Sequence, residues 1–185
     1  MSGVILVLLL IIIVFLYMPV RHTPWLPTLP FAYPNSYNEG GGVLRLVRMR
    51  SPDQEALFHA TDCSVAKAFA PILPDIPFDV LLRKSTEPNP QIIALKILIN
   101  RPRPWQVRPD IYPHLLQSAT AYSPSFPSGH SYQAFYLAKT YSKQYPSLRE
   151  ELYEMAEQCG NARIIAGHHY PSDHEYSRRL VELFH

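Results

Sequence analysis

Apolar residues are most concentrated at the start of the chain. Val4–Tyr17 is apolar without a break, and residues 3–20 carry no charged side chain. As an α-helix, residues 3–20 would span about 27 Å, close to the thickness of the hydrocarbon core of a bilayer. The pattern predicts an uncleaved transmembrane anchor at residues 1–20. A cleaved signal peptide is the alternative, but Met1–Gly3 lacks the positive charge with which such a peptide begins.

The residues that follow the anchor predict its orientation and a linker. Arg21 comes directly after the apolar segment, and no basic side chain precedes that segment. The positive-inside bias therefore favours a cytoplasmic catalytic part, although a single nearby arginine leaves the opposite orientation open. Residues 21–42 are rich in proline and end in Gly40–Gly42. This composition predicts a linker with a flexible joint.

From residue 43 to residue 185 the pattern is that of a helical domain. Predicted helices begin at a Ser, Asn or Pro that can cap or open a helix, and apolar positions three and four residues apart follow. No strand-like alternation of useful length occurs. The sequence predicts an all-α fold, a compact helical core of about five to six helices preceded by the anchor. Helix starts are predicted at Ser51–Pro52 (running to about Phe69), Asn89–Pro90, Ser128–Gly129, Pro146–Ser147 and Pro171–Ser172.

Composition narrows the class of partner. The chain has 17 Lys and Arg against 15 Asp and Glu, a net charge of +2, and no basic run. Nucleic acid is therefore not an expected partner. Cys63 and Cys159 lack the paired spacing of a zinc site, and the sequence leaves open whether they form a disulfide.

The most informative segment runs from Asn161 to Asp173. Arg163 stands six residues before His169, and His169 stands four residues before Asp173. A guanidinium can bind phosphate oxygens with two parallel hydrogen bonds. An imidazole that is oriented by a carboxylate is a candidate nucleophile. Taken alone, His169 and Asp173 could equally form a surface pair, so the interpretation depends on the rest of the chain.

A second motif, Ser128-Gly129-His130, stands where a helix is predicted to begin. Serine caps such a helix, glycine lets the backbone approach an anion, and the free N–H groups of the first turn can bind phosphate. His130 could then protonate the leaving group as a general acid. The alternative is an ordinary helix cap with a histidine on the surface.

A third motif is Lys96 followed at seven residues by Arg103-Pro104. Two further positive charges would stabilise the oxygens of a phosphoryl transition state. The alternative is a surface lysine and a loop arginine. Arg101 and Arg108 lie in the same loop, but the spacing from Lys96 selects Arg103.

Together the three motifs resemble those of the type 2 phosphatidic acid phosphatase superfamily, which includes lipid phosphate phosphatases, bacterial non-specific acid phosphatases and vanadium haloperoxidases. The resemblance covers about residues 96–173. It implies an all-α core, metal-independent hydrolysis without a cofactor, and vanadate as an inhibitor. It also implies that His169 is the nucleophile, Asp173 its orienting group and His130 the acid. The implied phosphate ligands are Lys96, Arg103, Ser128, Gly129 and Arg163.

The chain departs from the family pattern at two points. Ala162 occupies a position that is usually serine, and one predicted membrane span replaces the several of lipid-phosphatase members. The expected protein is therefore a membrane-tethered phosphatase for phosphate monoesters or lipid (di)phosphates. A vanadate-dependent haloperoxidase and a non-catalytic, tethered phosphate-binding protein are the alternatives. His168, out of register with Arg163 and Asp173, is expected to line the pocket or the surface.

Overall fold

The computed structural model of the chain describes residues 32–185. These residues are mostly helical and include no strand, so the all-α prediction is confirmed for them. The predicted anchor and the first part of the predicted linker lie outside the described residues. Between residues 32 and 185, no helix has both the length and the hydrophobicity to cross a bilayer. The α-helices are α1 (Ser36–Met49), α2 (Pro52–Thr61), α3 (Ala66–Phe69), α4 (Phe78–Thr86), α5 (Asn89–Ile99), α6 (Pro104–Val107), α7 (Gly129–Gln144), α8 (Arg149–Ile165) and α9 (Pro171–Phe184), with 3-10 turns at Pro109–His114 and Pro146–Leu148.

Helix α7 is the centre around which the other helices pack. It lies along α8 and α9 and also contacts α4 and α5. Tyr132 and Phe135 on α7 are buried against Leu152 of α8 and Val181 of α9. The connection between α7 and α8 is short, so these helices run antiparallel and the start of α7 lies beside the end of α8. The second motif and the segment Arg163–Asp173 therefore lie at one end of the core.

Helix α1 corrects the prediction of a flexible glycine joint. Gly40–Gly42 lies inside this helix, whose first N–H groups are capped by the Asn35 side chain. A Cβ at Gly40 would lie 2.9 Å from Cγ of Arg108 and 3.8 Å from the Tyr170 ring. Glycine at this position therefore lets α1 pack closely on the loop after α6. The glycine-rich composition predicts flexibility, whereas in the structure the close packing of α1 requires a glycine at position 40.

Two further helices differ from the prediction. The helix expected from Ser51 to Phe69 ends at Thr61 and is followed by the short helix α3. The polar run that begins at Asp62 interrupts the apolar spacing, and Asp62 bonds to a distant loop. Helix α4 was not predicted, because its flanking prolines read as breakers, although Pro77 in fact precedes its first turn.

Four of the remaining helices agree with the prediction, but the short helix α6 was not predicted, and residues 32–185 form more α-helices than the expected five to six. Ser51 and Gln54 form a capping box at the predicted start of α2, and α5, α7, α8 and α9 begin within a few residues of their predicted starts. The predicted apolar stripe of α8 is buried at Leu152, Cys159 and Ala162. Both cysteines are free thiols, Cys63 exposed and Cys159 buried.

Candidate active site

His169 lies in the loop between α8 and α9. Gly167 has a φ of 86°, a left-handed conformation that lets the chain turn directly after the helix. The His169 ring is buried, with Nδ1 3.2 Å from Oδ2 of Asp173 and Nε2 2.9 Å from Nη1 of Arg103. Because Asp173 accepts the Nδ1 proton and Arg103 donates to Nε2, the ring is held in the Nδ1–H tautomer. Its Nε2 lone pair faces the cationic side of the site.

Asp173 stands in the first turn of α9 and is fully buried. Besides His169, its Oδ2 accepts hydrogen bonds from the backbone N–H of Tyr170 at 3.0 Å and from the Ser125 hydroxyl. Its Oδ1 accepts from Nη1 of Arg101 at 2.6 Å. Burial alone would raise the pKa of this carboxyl, but the hydrogen bond with His169 and the charge of Arg101 bring the pKa well below its usual range. Asp173 is therefore an ionised acceptor that fixes the ring.

Arg101 has a role that its sequence position did not indicate. Its guanidinium is buried between the rings of Tyr33 and Tyr170, with Cζ 4.1 and 3.9 Å from their centroids. It binds Asp173 and also Oε2 of Glu39 on α1, at 2.8 Å. Glu39 lies far away in the sequence, so no local pattern could have linked the two residues. Arg101 is thus the ion-pair partner of Asp173, the carboxylate that orients His169.

Lys96 and Arg103 bring two buried cations to the site. Nζ of Lys96 donates to the carbonyl of Pro124 at 2.6 Å. Arg103 donates to the carbonyls of Ser123 at 2.7 Å and His168 at 2.8 Å. Burial, reinforced by the charge of Arg103, lowers the pKa of Lys96 well below its ordinary value, and burial lowers that of Arg103 to about 9. Because carbonyls rather than carboxylates hold these two groups directly, their positive charge can act on an anion.

Arg163 lies near the end of α8, where it is held by Asp62, a residue outside the three motifs. Its Nη1 donates to Oδ1 of Asp62 at 2.7 Å, and its Nη2 donates to Oγ of Ser118 at 3.0 Å. Its Cζ stacks 4.5 Å from the centroid of the Phe58 ring. Burial would raise the pKa of Asp62, but hydrogen bonds from Ser118 and Arg163 lower it to about 2. Asp62 is therefore ionised, and its carboxylate fixes the guanidinium of Arg163. The spacing of residues in the sequence did not indicate this role for Asp62.

The second motif forms the start of α7. Oγ of Ser128 accepts the backbone N–H of Ser131 at 3.3 Å, which confirms the predicted helix cap. Gly129 is half-buried, and a Cβ there would meet Ile92 only at 3.7 Å. His130 is half-buried, with Nε2 2.9 Å from the backbone carbonyl of Asp62, so this nitrogen donates. The helix start thus presents N–H groups and an imidazole side by side.

The structure brings the predicted residues of all three motifs around one site. The charge of Arg163 contributes to lowering the pKa values of Lys96, Arg103 and His130, which places the motifs within Coulombic range of each other. Three buried cations, an imidazole at a helix start and the His169–Asp173 pair together suit an anion that undergoes attack by nitrogen. Within residues 32–185, no group of three or more His, Cys, Asp or Glu side chains could hold a metal ion.

The buried histidines of the site are expected to make the fold less stable in acid. Burial, reinforced by Arg163, lowers the pKa values of His130 and His168 to about 3, and burial with the charge of Arg103 lowers that of His169 well below its ordinary value. In an unfolded chain these rings bind protons below about pH 6.5. Between about pH 6.5 and pH 3 the unfolded state therefore holds more protons, and stability rises with pH.

We expect the free energy of unfolding to fall as the pH is lowered from about 7 to about 4, measured by urea denaturation. His168→Gln should flatten this dependence, because it removes one of the buried rings whose pKa is lowered. Orthophosphate should oppose the fall, because its negative charge favours the protonated rings. A free energy of unfolding that stays constant over this range would contradict the prediction.

The comparisons with known proteins agree with this arrangement. The family model described as the PAP2 superfamily matches residues 89–179. The matched segment contains all three motifs, from Lys96 to Asp173, and excludes Glu39 and Asp62. No curated protein matches the chain.

Proposed function

Because the chain belongs to the PAP2 superfamily through residues 89–179, we propose that it is a metal-independent phosphatase that forms a phosphohistidine at His169. The substrates are phosphate monoesters or lipid (di)phosphates. The observation that carries the proposal is the His169 ring held between the Asp173 carboxylate and the Arg103 guanidinium. The family supports a phosphate ester as the substrate, and the geometry of the His169 ring supports the phosphohistidine.

The first step is attack by Nε2 of His169 on phosphorus. Asp173 keeps the proton on Nδ1 and favours the positive charge that the ring acquires as the N–P bond forms. Arg103 donates to Nε2 at 2.9 Å in the structure. When a phosphoryl oxygen reaches the ring, it replaces Nε2 as the acceptor of this Arg103 hydrogen bond, and the Nε2 lone pair is free to attack. The leaving group departs with the electron pair of the P–O bond, and water later breaks the N–P bond.

The phosphoryl oxygens need donors and positive charge. Lys96, Arg103 and Arg163 supply charge in a buried site, where it acts more strongly than in water. The hydroxyl of Ser128 and the N–H groups at the start of α7, beginning with Gly129, supply further donors.

His130 is the proposed general acid. Its pKa is lowered to about 3, first by burial and then by the charge of Arg163, so the ring is neutral before substrate binds. A bound phosphate dianion offsets that charge and raises the pKa of His130 toward the range of a working acid. Proton delivery to the leaving oxygen is therefore coupled to substrate binding.

A tether at residues 3–20 would keep this site at a bilayer surface. The segment carries no charged side chain and is long enough to cross the hydrocarbon core. Holding the domain there raises the local concentration of lipid substrates. We therefore include lipid phosphates and diphosphates among the proposed substrates.

The test uses the full chain in detergent, with hydrolysis of an aryl phosphate and of a short-chain phosphatidate measured in the presence of EDTA. We expect turnover that survives EDTA and is inhibited by orthovanadate. No turnover of either ester would contradict the phosphatase proposal. Vanadate-dependent oxidation of halide would then indicate the haloperoxidase alternative, and binding of orthophosphate without turnover would indicate a phosphate-binding protein.

A further inference from the structure

A chain of hydrogen bonds connects the surface of α8 to the cap of α7. Oε2 of Glu157 lies 2.7 Å from Nε2 of His174, and Nδ1 of His174 lies 3.0 Å from Oγ of Ser131. Ser131 Oγ donates to Oγ of Ser128 at 2.8 Å. The Glu157 side chain is 46% exposed, whereas the other three residues are buried. The serine of the second motif is thus linked to a solvent-accessible carboxylate through one imidazole.

The fold makes a specific place for the His174 ring. Gly160 lies inside α8, where glycine is unfavourable. A Cβ at this position would lie 2.0 Å from Nδ1 of His174 and 2.8 Å from Oγ of Ser131. Phe135 of α7 packs on the ring, with centroids 5.4 Å apart. Any side chain at position 160 would displace the ring or the serine, so the glycine serves the hydrogen-bond chain.

The partners determine where the protons lie. A carboxylate only accepts, so Nε2 of His174 donates to Glu157. Ser131 gives its hydroxyl hydrogen to Ser128, so its oxygen accepts from His174, and Nδ1 must donate as well. The arrangement requires a ring that carries both protons. Ser128 Oγ then accepts twice from Ser131, from its N–H and its hydroxyl, and its own hydrogen is left for a phosphate oxygen.

A different arrangement follows when His174 loses its Nδ1 proton. Nδ1 then accepts the hydroxyl hydrogen of Ser131, and Oγ of Ser131 turns a lone pair toward Ser128. Ser131 now competes with phosphate for the Ser128 hydrogen. We propose that His174 is a positioning residue that acts through Ser131 to direct the Ser128 hydroxyl to bound phosphate. This rests on the proposed role of Ser128 as a phosphate ligand.

The surroundings of His174 identify Glu157 as the residue that orients its ring. From α8 the ring meets this carboxylate and Gly160, and from α7 it meets the uncharged Ser131 and Phe135. On α9 itself, Asp173 pairs with Arg101 and His169. Arg178 pairs with Glu175 and also lies within Coulombic range of Glu157.

The first test is a double-mutant cycle between His174→Leu and Ser131→Ala in the full chain. The dissociation constant of orthophosphate is measured by calorimetry, and kcat and KM are measured with an aryl phosphate. Each single change should weaken orthophosphate binding and raise KM by about ten-fold, the effect of losing one hydrogen bond to a charged ligand. The double variant should be no worse than either single variant. Additive losses, or an unchanged affinity in His174→Leu, would overturn the proposal.

A second test avoids changes in the core. Glu157→Ala removes the acceptor that holds Nε2 of the His174 ring. The dissociation constant of orthophosphate at a fixed pH should rise several-fold, whereas Glu157→Gln, whose amide oxygen can still accept from Nε2, should keep most of the affinity. Glu154→Ala, on the exposed side of the same helix, is the matched control and should bind orthophosphate as the wild type does. An unchanged affinity in Glu157→Ala would overturn the proposal.

The two proposals fail in different ways. A wild-type protein that binds orthophosphate but hydrolyses no ester contradicts the phosphatase proposal, and the affinity measurements still decide the role of His174. A wild-type protein that neither binds orthophosphate nor hydrolyses an ester contradicts both.

Discussion

Replacing His169 with alanine is expected to abolish hydrolysis of phosphate esters, with a loss of about 10³-fold or more in kcat. Nε2 of this ring faces Arg103 and is the atom that would bond to phosphorus. His130 and His168 have no such orienting carboxylate, because their Nε2 atoms donate to backbone carbonyls. Steady-state kinetics on an aryl phosphate measures the loss. Mass spectrometry of the quenched wild-type enzyme should locate a phosphoryl group on His169.

The neighbouring histidine supplies a demanding control. His168→Gln should lower kcat by less than about ten-fold, because Arg103 contacts the His168 backbone carbonyl, which the substitution retains. Urea denaturation would show that both variants are folded. Equal losses in the two variants, or phosphorylation at another residue, would contradict the assignment of the nucleophile.

Replacing Arg101 with glutamine is expected to destabilise the fold by about 3–5 kcal/mol, the cost of breaking a buried ion pair by removing one partner. The variant leaves Asp173 buried without its cationic partner and also releases Glu39. The pKa of Asp173 should rise, because the charge of Arg101 is one of the causes that keep it low. The orienting carboxylate would then hold its charge less firmly, and kcat should fall together with stability.

Arg108 is the matched control for Arg101. It follows the next short helix, α6, and its partner Asp110 is 43% exposed, so we expect Arg108→Gln to lower the free energy of unfolding far less than Arg101→Gln does. The free energy of unfolding from urea denaturation measures both variants. A loss for Arg101→Gln as small as that for Arg108→Gln would show that the buried ion pair does not hold Asp173 in place.

Local pattern was sufficient for much of the fold and for the chemistry. Ser51 and Ser128 indicate helix starts because each side chain caps the N–H group three residues further along the chain. His169 and Asp173 are four residues apart, so their pairing requires only one turn. Lys96 and Arg103 are seven residues apart, so their motif can also be recognised from spacing alone. Such signals survive without knowledge of the rest of the chain, because both partners lie within one or two helical turns.

Local pattern failed to predict the structure where a residue's partner is distant in the sequence, or where packing gives glycine and proline a role other than their usual one. Gly40–Gly42 reads as a flexible joint in isolation, but becomes a helical contact surface once Arg108 and Tyr170 lie against it. The prolines around α4 read as breakers, although Pro77 only marks its start. A helix that is stabilised mainly by tertiary packing has no strong signal of its own.

The all-α class, the three motifs and the identity of the groups that could bind and attack phosphate follow from residue type and short spacing, so they can be predicted from the sequence. Which residues hold those groups in place depends on how the helices pack. Glu39 reaches Arg101, Asp62 reaches Arg163, and Glu157 reaches Ser128 through His174. The physical reason is that a buried charge or hydroxyl needs a partner, and the chain can supply that partner from any helix that packing brings near.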